Sequence, residues 1–140
     1  MTQPAAPEGF ERHFRQSPLT DPWEPLWSRQ TDAGFSMGLH LAAAHTNSRG
    51  LAHGGLIAAI ADNAMGLACV FKLGGVTRLV TVNLALDYLG VASLGQWIAW
   101  DAAVVKTGRT LCFADCRVSA DGMPIARANA TFSVSQPQAA

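Results

Sequence analysis

The stretch from Arg49 to Lys72, RGLAHGGLIAAIADNAMGLACVFK, limits this chain more than any other. Between its flanking cations it carries one acid, Asp62, in an otherwise almost wholly apolar run, with glycines before it (Gly50, Gly54, Gly55) and after it (Gly74, Gly75). A run that is apolar all round reads as a helix buried on most sides. A lone carboxylate in such a helix is costly unless it is paired or has a task. Asp62 is therefore the first candidate for chemistry.

Helix geometry sharpens that reading. If the helix starts near His53, Asp62 follows nine residues later, about half a turn away in azimuth and about 13.5 Å further along the axis. One chain cannot easily aim the helix N-terminus and Asp62 at one small group. Two copies packed antiparallel about a two-fold axis can, because each sets its acid beside the other's N-terminus. The face with Asp62 is read as Ala58, Ala59, Met65, Gly66 and Cys69, mostly small; the opposite face as Ile57, Ile60, Ala64, Leu67 and Phe71. The bulky face is expected to pack a core and the small face to leave room beside the carboxylate. The pattern predicts a homodimer with two shared sites.

Size and charge remove several alternatives. At 140 residues the chain is one domain with a real core. A net charge of zero without a Lys/Arg stripe gives no footprint for nucleic acid. Three cysteines are an odd count, and Cys112 and Cys116, four apart on a strand, are about 13 Å from each other, too far to bridge. Reduced cysteines, an N-terminus without the basic-then-apolar order of a secretion signal, and hence a cytoplasmic location are the expectation. Leu51 to Leu73 has the length of a membrane span, but a central Asp costs about 2.5–3.5 kcal/mol there. Amphipathic strands follow it, which also favours a soluble domain.

In chain order, residues 1–32 read as an N-terminal extension with a short helix over Phe10 to Gln16 and another begun by Asp21-Pro22-Trp23-Glu24, whose cap, proline and first-turn acid suit a helix start. Trp23, Leu26 and Trp27 should dock on the domain that spans 33–134. Gly34 to Ala44 alternates as a first strand, and His45 to Ala52 is a loop into the helix. Four strands follow: Leu79 to Leu89, Gln96 to Lys106, Thr110 to Ser119 and Ile125 to Val134. In the first of them Val80, Val82, Leu84, Leu86 and Tyr88 should share one face, with Thr81, Asn83, Ala85 and Asp87 on the other. Short connections imply that the four are antiparallel neighbours, and residues 135–140 form a polar, disordered tail. One antiparallel sheet wrapped round one long central helix, an α+β architecture, buries that helix most economically.

Asn47, His53-Gly54-Gly55 and Asp62, set in NSRGLAHGGLIAAIADNAMG and supported by TVNLALDYL in the next strand, resemble the hotdog-fold acyl-CoA thioesterases of the PaaI-like (phenylacetic acid degradation) group over roughly residues 33–134. The resemblance implies dimers, often dimers of dimers, with sites at the subunit interface. It implies that the Gly54 backbone amide polarises the thioester carbonyl, in keeping with the anion preference of helix N-termini. Asp62 would activate water as general base or attack as nucleophile; Thr81 would position that water; Asn47 and His53 would hold the thioester region and the loop. Gly55 lets substrate approach the backbone, and Met65 would line an apolar pocket. Lys72, Arg78, Lys106 and Arg109 are candidates for the coenzyme A phosphates, with Lys72, Arg78 and Arg109 carried as substrate-binding residues. No cofactor or metal is implied, coenzyme A being part of the substrate. The chain departs from the group at Asn83, where many relatives have an acid, and at Leu89-Gly90-Val91-Ala92, where a proline-bearing turn is common.

Two other readings stand beside a thioesterase: a non-catalytic acyl-CoA binder or sensor, and an acyl-thioester hydratase or dehydratase. A binder has no need to bear the cost of Asp62. Dehydration wants a His and an acid converging on one substrate, and the extended patterns of those branches are missing. Histidines 13, 40 and 45 read as surface or strand residues, and neither HExxH, CxxC nor GxSxG occurs.

Overall fold

The structure is a computed structural model that describes residues 4–75 and 78–135. Its centre is α1, Gly54–Lys72, and His53 is the residue that starts it: the His53 Nδ1 accepts the Gly55 N–H at 2.8 Å. Ile57, Ile60, Ala61, Ala64, Met65, Ala68 and Cys69 turn their side chains into the core. Each fully buried Ile or Met contributes about 1.5–3 kcal/mol relative to exposure. By length and composition α1 could cross a membrane. Here strands pack along it, and the indole N–H of the buried Trp100 donates to the Ile57 carbonyl at 3.0 Å.

The strands are β1 (Glu11–Arg12), β2 (Trp27–Gln30), β3 (Gly34–His40), β4 (Arg78–Tyr88), β5 (Trp97–Thr107), β6 (Leu111–Ala120) and β7 (Met123–Ser135). They form one antiparallel sheet in the order β1-β2-β3-β5-β6-β7-β4. One antiparallel sheet around one helix is the expected α+β architecture, the hotdog fold. Only β5, β6 and β7 form the expected meander. β4 lies at the far edge beside β7, so the connection from Leu89 to Gln96 is a crossover and not a hairpin. It passes the start of α1, where Ala52 N–H donates to the Ala92 carbonyl at 2.9 Å and Leu51 bridges to Ser93.

The N-terminal extension differs from its reading. Phe10 to Gln16 is not helical: β1 and β2 add two strands to the sheet, and only Asp21–Trp23 is a short 3₁₀ turn. Polar Ser28, Arg29 and Gln30 pair with the free edge of β3, and that backbone pairing overrides weak local preference. Leu26 docks in the core as expected. Of the expected tail, Ser135 ends β7 and residues 136–140 lie outside the described residues.

The cysteines also differ. Cys69 of α1 and Cys112 of β6, 43 residues apart and 6.5 Å between Cα atoms, are joined by a disulfide. Spacing along one strand excludes only the pair Cys112 and Cys116; the pair that meets is brought together by packing of helix on sheet. The expectation of reduced cysteines is corrected for Cys69 and Cys112. Cys116 is free and buried, with burial pushing its thiol up to about 12.

Gly34, opposite Ala103 in the β3–β5 ladder, is where backbones come closest: a Cβ there would collide with the Ala102 carbonyl oxygen. Gly34→Ala should therefore destabilise the protein by about 1–3 kcal/mol, the usual cost of overpacking. Urea unfolding followed by tryptophan fluorescence measures it, and an unchanged midpoint would contradict the close approach.

Candidate active site

Along α1, Ala58, Ala59, Asp62, Asn63, Gly66 and Val70 stay partly exposed, so the helix has one open stripe and Asp62 lies on it. Met65 does not: it is fully buried on the core side and lines neither cavity along the helix. The expectation that it lines a substrate pocket is overturned. Its azimuth groups it with Ala61 and Ala68 against the sheet, whereas Gly66 takes the place beside Asp62.

Thr81 reaches Asp62. Its Oγ1 donates to the Asp62 Oδ1 at 2.7 Å. Strict alternation had set Thr81 on the face away from Leu84, Leu86 and Tyr88, and the structure shows why it is not. In the β4–β7 ladder Thr81 pairs with Phe132 and Asn83 with Thr131, leaving Val82 as an extra, bulged residue. The bulge inverts the parity of the strand. Leu79, Thr81, Leu84, Leu86 and Tyr88 then face α1, while Val80 and Val82 are 67% and 61% exposed.

Asp62 and Thr81 share a cavity of about 480 Å³. It runs past Asn63 and Gly66 to Val70, with Phe132 of β7 on one side and residues of the N-terminal extension on the other. Arg78 lines it too, whereas Lys72 and Arg109 do not. The helix start lies in a second cavity, which holds Asn47, His53, Gly54, Gly55, Tyr88 and Val91. Here Asn47 Oδ1 accepts the Arg49 N–H at 2.9 Å and the Leu51 N–H at 3.2 Å, shaping the loop into the helix. His53 is engaged as the helix cap, which leaves the Gly54 N–H without an acceptor among the described residues. One chain thus keeps the acid and the helix N-terminus in separate cavities, as the spacing in the sequence foretold.

Two features escaped the sequence. Tyr88, the chain's one tyrosine, donates its hydroxyl to the Gly54 carbonyl at 2.6 Å. A Cβ on Gly54 would stand 3.1 Å from that oxygen, so the glycine and the tyrosine fit each other. Its place at the end of β4 and its face, shared with Leu84 and Leu86, were legible; its bond to the helix start was not. His13 and His45, read as surface or strand residues, are buried: His13 Nδ1 lies 2.9 Å from Ser28 Oγ, and His45 joins the Ala42 N–H to the Trp23 carbonyl. Burial holds the His13 pKa below its ordinary value.

Comparison with known proteins agrees with this architecture. Residues 49–126 match the profile of the Thioesterase superfamily. The chain belongs to that family. A candidate esterase of Pseudomonas aeruginosa is 37% identical over 127 residues, which cover 90% of this chain and 95% of that one. Human acyl-coenzyme A thioesterase 13 is 39% identical over 69 residues, 49% of each chain. A mutant of the phenylacetic acid degradation protein PaaI from Thermus thermophilus superposes with a TM-score of 0.74 at 23% identity, over 84% of this chain and 98% of that one, a likeness of fold. This thioesterase-superfamily chain is a thioester hydrolase with the PaaI-like layout, and its helix start and its acid lie inside the matched residues.

Loss of the hydroxyl that holds the first turn should be measurable. Tyr88→Phe is expected to lower stability by about 0.5–1.5 kcal/mol. Equilibrium denaturation against wild type reads it, and an unchanged midpoint would show that the bond does not anchor the helix.

Proposed function

We propose that the chain hydrolyses acyl-CoA thioesters as a homodimer, each active site combining Asp62 and Thr81 of one subunit with the helix N-terminus of the other. The observation that carries this reading is that Asp62 and Gly54 line different cavities of one chain, although both have to meet a single carbonyl group. β4 supplies the means. It is the longer of the sheet's two edge strands, and an unpaired edge is a template for another strand. Antiparallel pairing of β4 with its copy about Asn83 sets Arg78 opposite Tyr88 of the partner subunit. The Tyr88–Gly54 corner of each chain then approaches the Asp62–Thr81 region of the other.

In that site the thioester oxygen meets the Gly54 N–H, where the helix dipole favours developing negative charge. The Asp62 carboxylate, held by Thr81, takes a proton from water. The hydroxide adds to the carbonyl carbon, the C–S bond of the tetrahedral intermediate breaks, and coenzyme A thiolate leaves and takes up a proton. Direct attack by Asp62 would give an anhydride that water then opens; the same residues serve both routes. Asn47 shapes the loop that presents the helix start, and His53 orders its amides. General-base help is worth about 10²–10⁴-fold and one oxyanion donor about 10²–10³-fold, so these two groups supply most of the rate.

Release of free thiol from a panel of acyl-CoAs tests the reading. Asp62→Asn, folded and of unchanged oligomeric state, should lose about 10²-fold or more in kcat. Wild type that binds acyl-CoA without turning over any of the panel would favour a binder or sensor instead. Sharing of the site has its own test. Asp62→Asn and Gly54→Val should each be inactive alone, yet subunits mixed after dissociation should regain about a quarter of wild-type activity, because half the dimers are mixed and each holds one intact site. No recovery, with mixed dimers demonstrated, would place both groups in one subunit.

A further inference from the structure

We propose that the cavity beside Asp62 selects acyl chains that carry a hydroxyl at the end remote from the thioester, and that His13 is the side chain that reads it. This rests on the thioesterase reading above and deepens it.

The cavity has a reacting end and a distal end. Asp62 and Thr81 mark the first. His13 lines the same cavity, and its ring lies 6.0 Å from that of Phe35, which in turn lies 5.4 Å from Phe71 near the end of α1. Phe71 follows Asp62 by nine residues, about 13 Å along the helix axis. Between the two ends Leu67, Val70, Leu79 and Phe132 offer apolar wall suited to a methylene chain. The distal end is different in character. His13 is only 8% exposed, and its Nδ1 is committed to Ser28 Oγ, while Nε2 has no hydrogen-bond partner among the described residues.

That arrangement suits a hydroxyl better than a methyl group. With the proton on Nδ1, the imidazole donates to Ser28 and Nε2 accepts; with the proton on Nε2, Ser28 donates to Nδ1 and Nε2 donates. A hydroxyl can serve either tautomer, since it both donates and accepts. A methyl terminus lodged against Nε2 would displace its water and leave the nitrogen unpaired, which is how polar sites reject apolar analogues. His13 lies outside the matched residues 49–126, in the N-terminal extension.

The test compares kcat/KM for two pairs of substrates, decanoyl-CoA with ω-hydroxydecanoyl-CoA and butanoyl-CoA with its ω-hydroxy counterpart. Wild type should favour the hydroxylated decanoyl substrate by about tenfold or more and treat the two short chains, which cannot reach His13, alike. In His13→Phe, which keeps the ring and removes the nitrogens, the ratio for the long pair should fall to about one; His13→Gln, which restores a polar group, should recover part of it. Melting curves of each variant separate a lost preference from a lost fold. Turnover of butanoyl-CoA with a long-pair ratio of one in wild type would overturn this inference and leave the thioesterase reading standing. A preference that survives His13→Phe would overturn it as well. No turnover of any of the four would remove the thioesterase reading and this inference together.

Discussion

A nineteen-residue helix that is apolar on nearly every side has to be enclosed, and the rest of the molecule is arranged to enclose it. Five strands pack against α1, and Trp100 adds a hydrogen bond to its backbone from within the core. A sheet can curl only so far round a helix, so one stripe is left open. The polar Asp62 lies on that stripe because any other azimuth would bury it without water among aliphatic side chains. The position of the acid is thus a consequence of how a sheet wraps a helix. The cavity beside it has the same origin.

The bulge at Val82 matters as much as the helix. A regular strand could turn either Thr81 or Tyr88 towards α1, but not both, because seven residues separate them. One extra residue changes the parity, and both then bond to the helix, Thr81 to Asp62 and Tyr88 to the Gly54 carbonyl. Asp62 and the helix start are therefore both held by one strand. That strand is also an edge strand of the sheet. Whatever pairs with the edge would be coupled directly to the geometry of the site.

These two features divide what the sequence could reveal from what it could not. The helix, its start near His53 and the separation of Asp62 from Gly54 follow from periodicity and rise per residue, and they were legible. The sheet around the helix was legible from the alternation of the later strands. The crossover of Leu89 to Gln96 was not, because a short connection between strands normally joins neighbours, and only the long-range bonds of Ala52 and Leu51 reveal otherwise. Nothing in the local pattern TVNLALDYL marks a bulge, so the face of Thr81 was assigned by alternation and inverted. The Cys69–Cys112 pair and the burial of His13 are likewise products of packing between elements distant in sequence. No spacing rule reaches them.

The cap at His53 decides which amide of the helix start stays free. The first N–H groups of any helix lack intrahelical acceptors, and a small site can use only some of them. By taking the Gly55 N–H, the His53 ring removes one donor and leaves that of Gly54, which belongs to the preceding peptide unit. Tyr88 fixes the next unit by binding the Gly54 carbonyl, and the side-chain-free Gly54 keeps the approach to its own N–H clear. The histidine therefore needs no contact with substrate to matter. It chooses which amide faces outward, and the tyrosine keeps that amide in place.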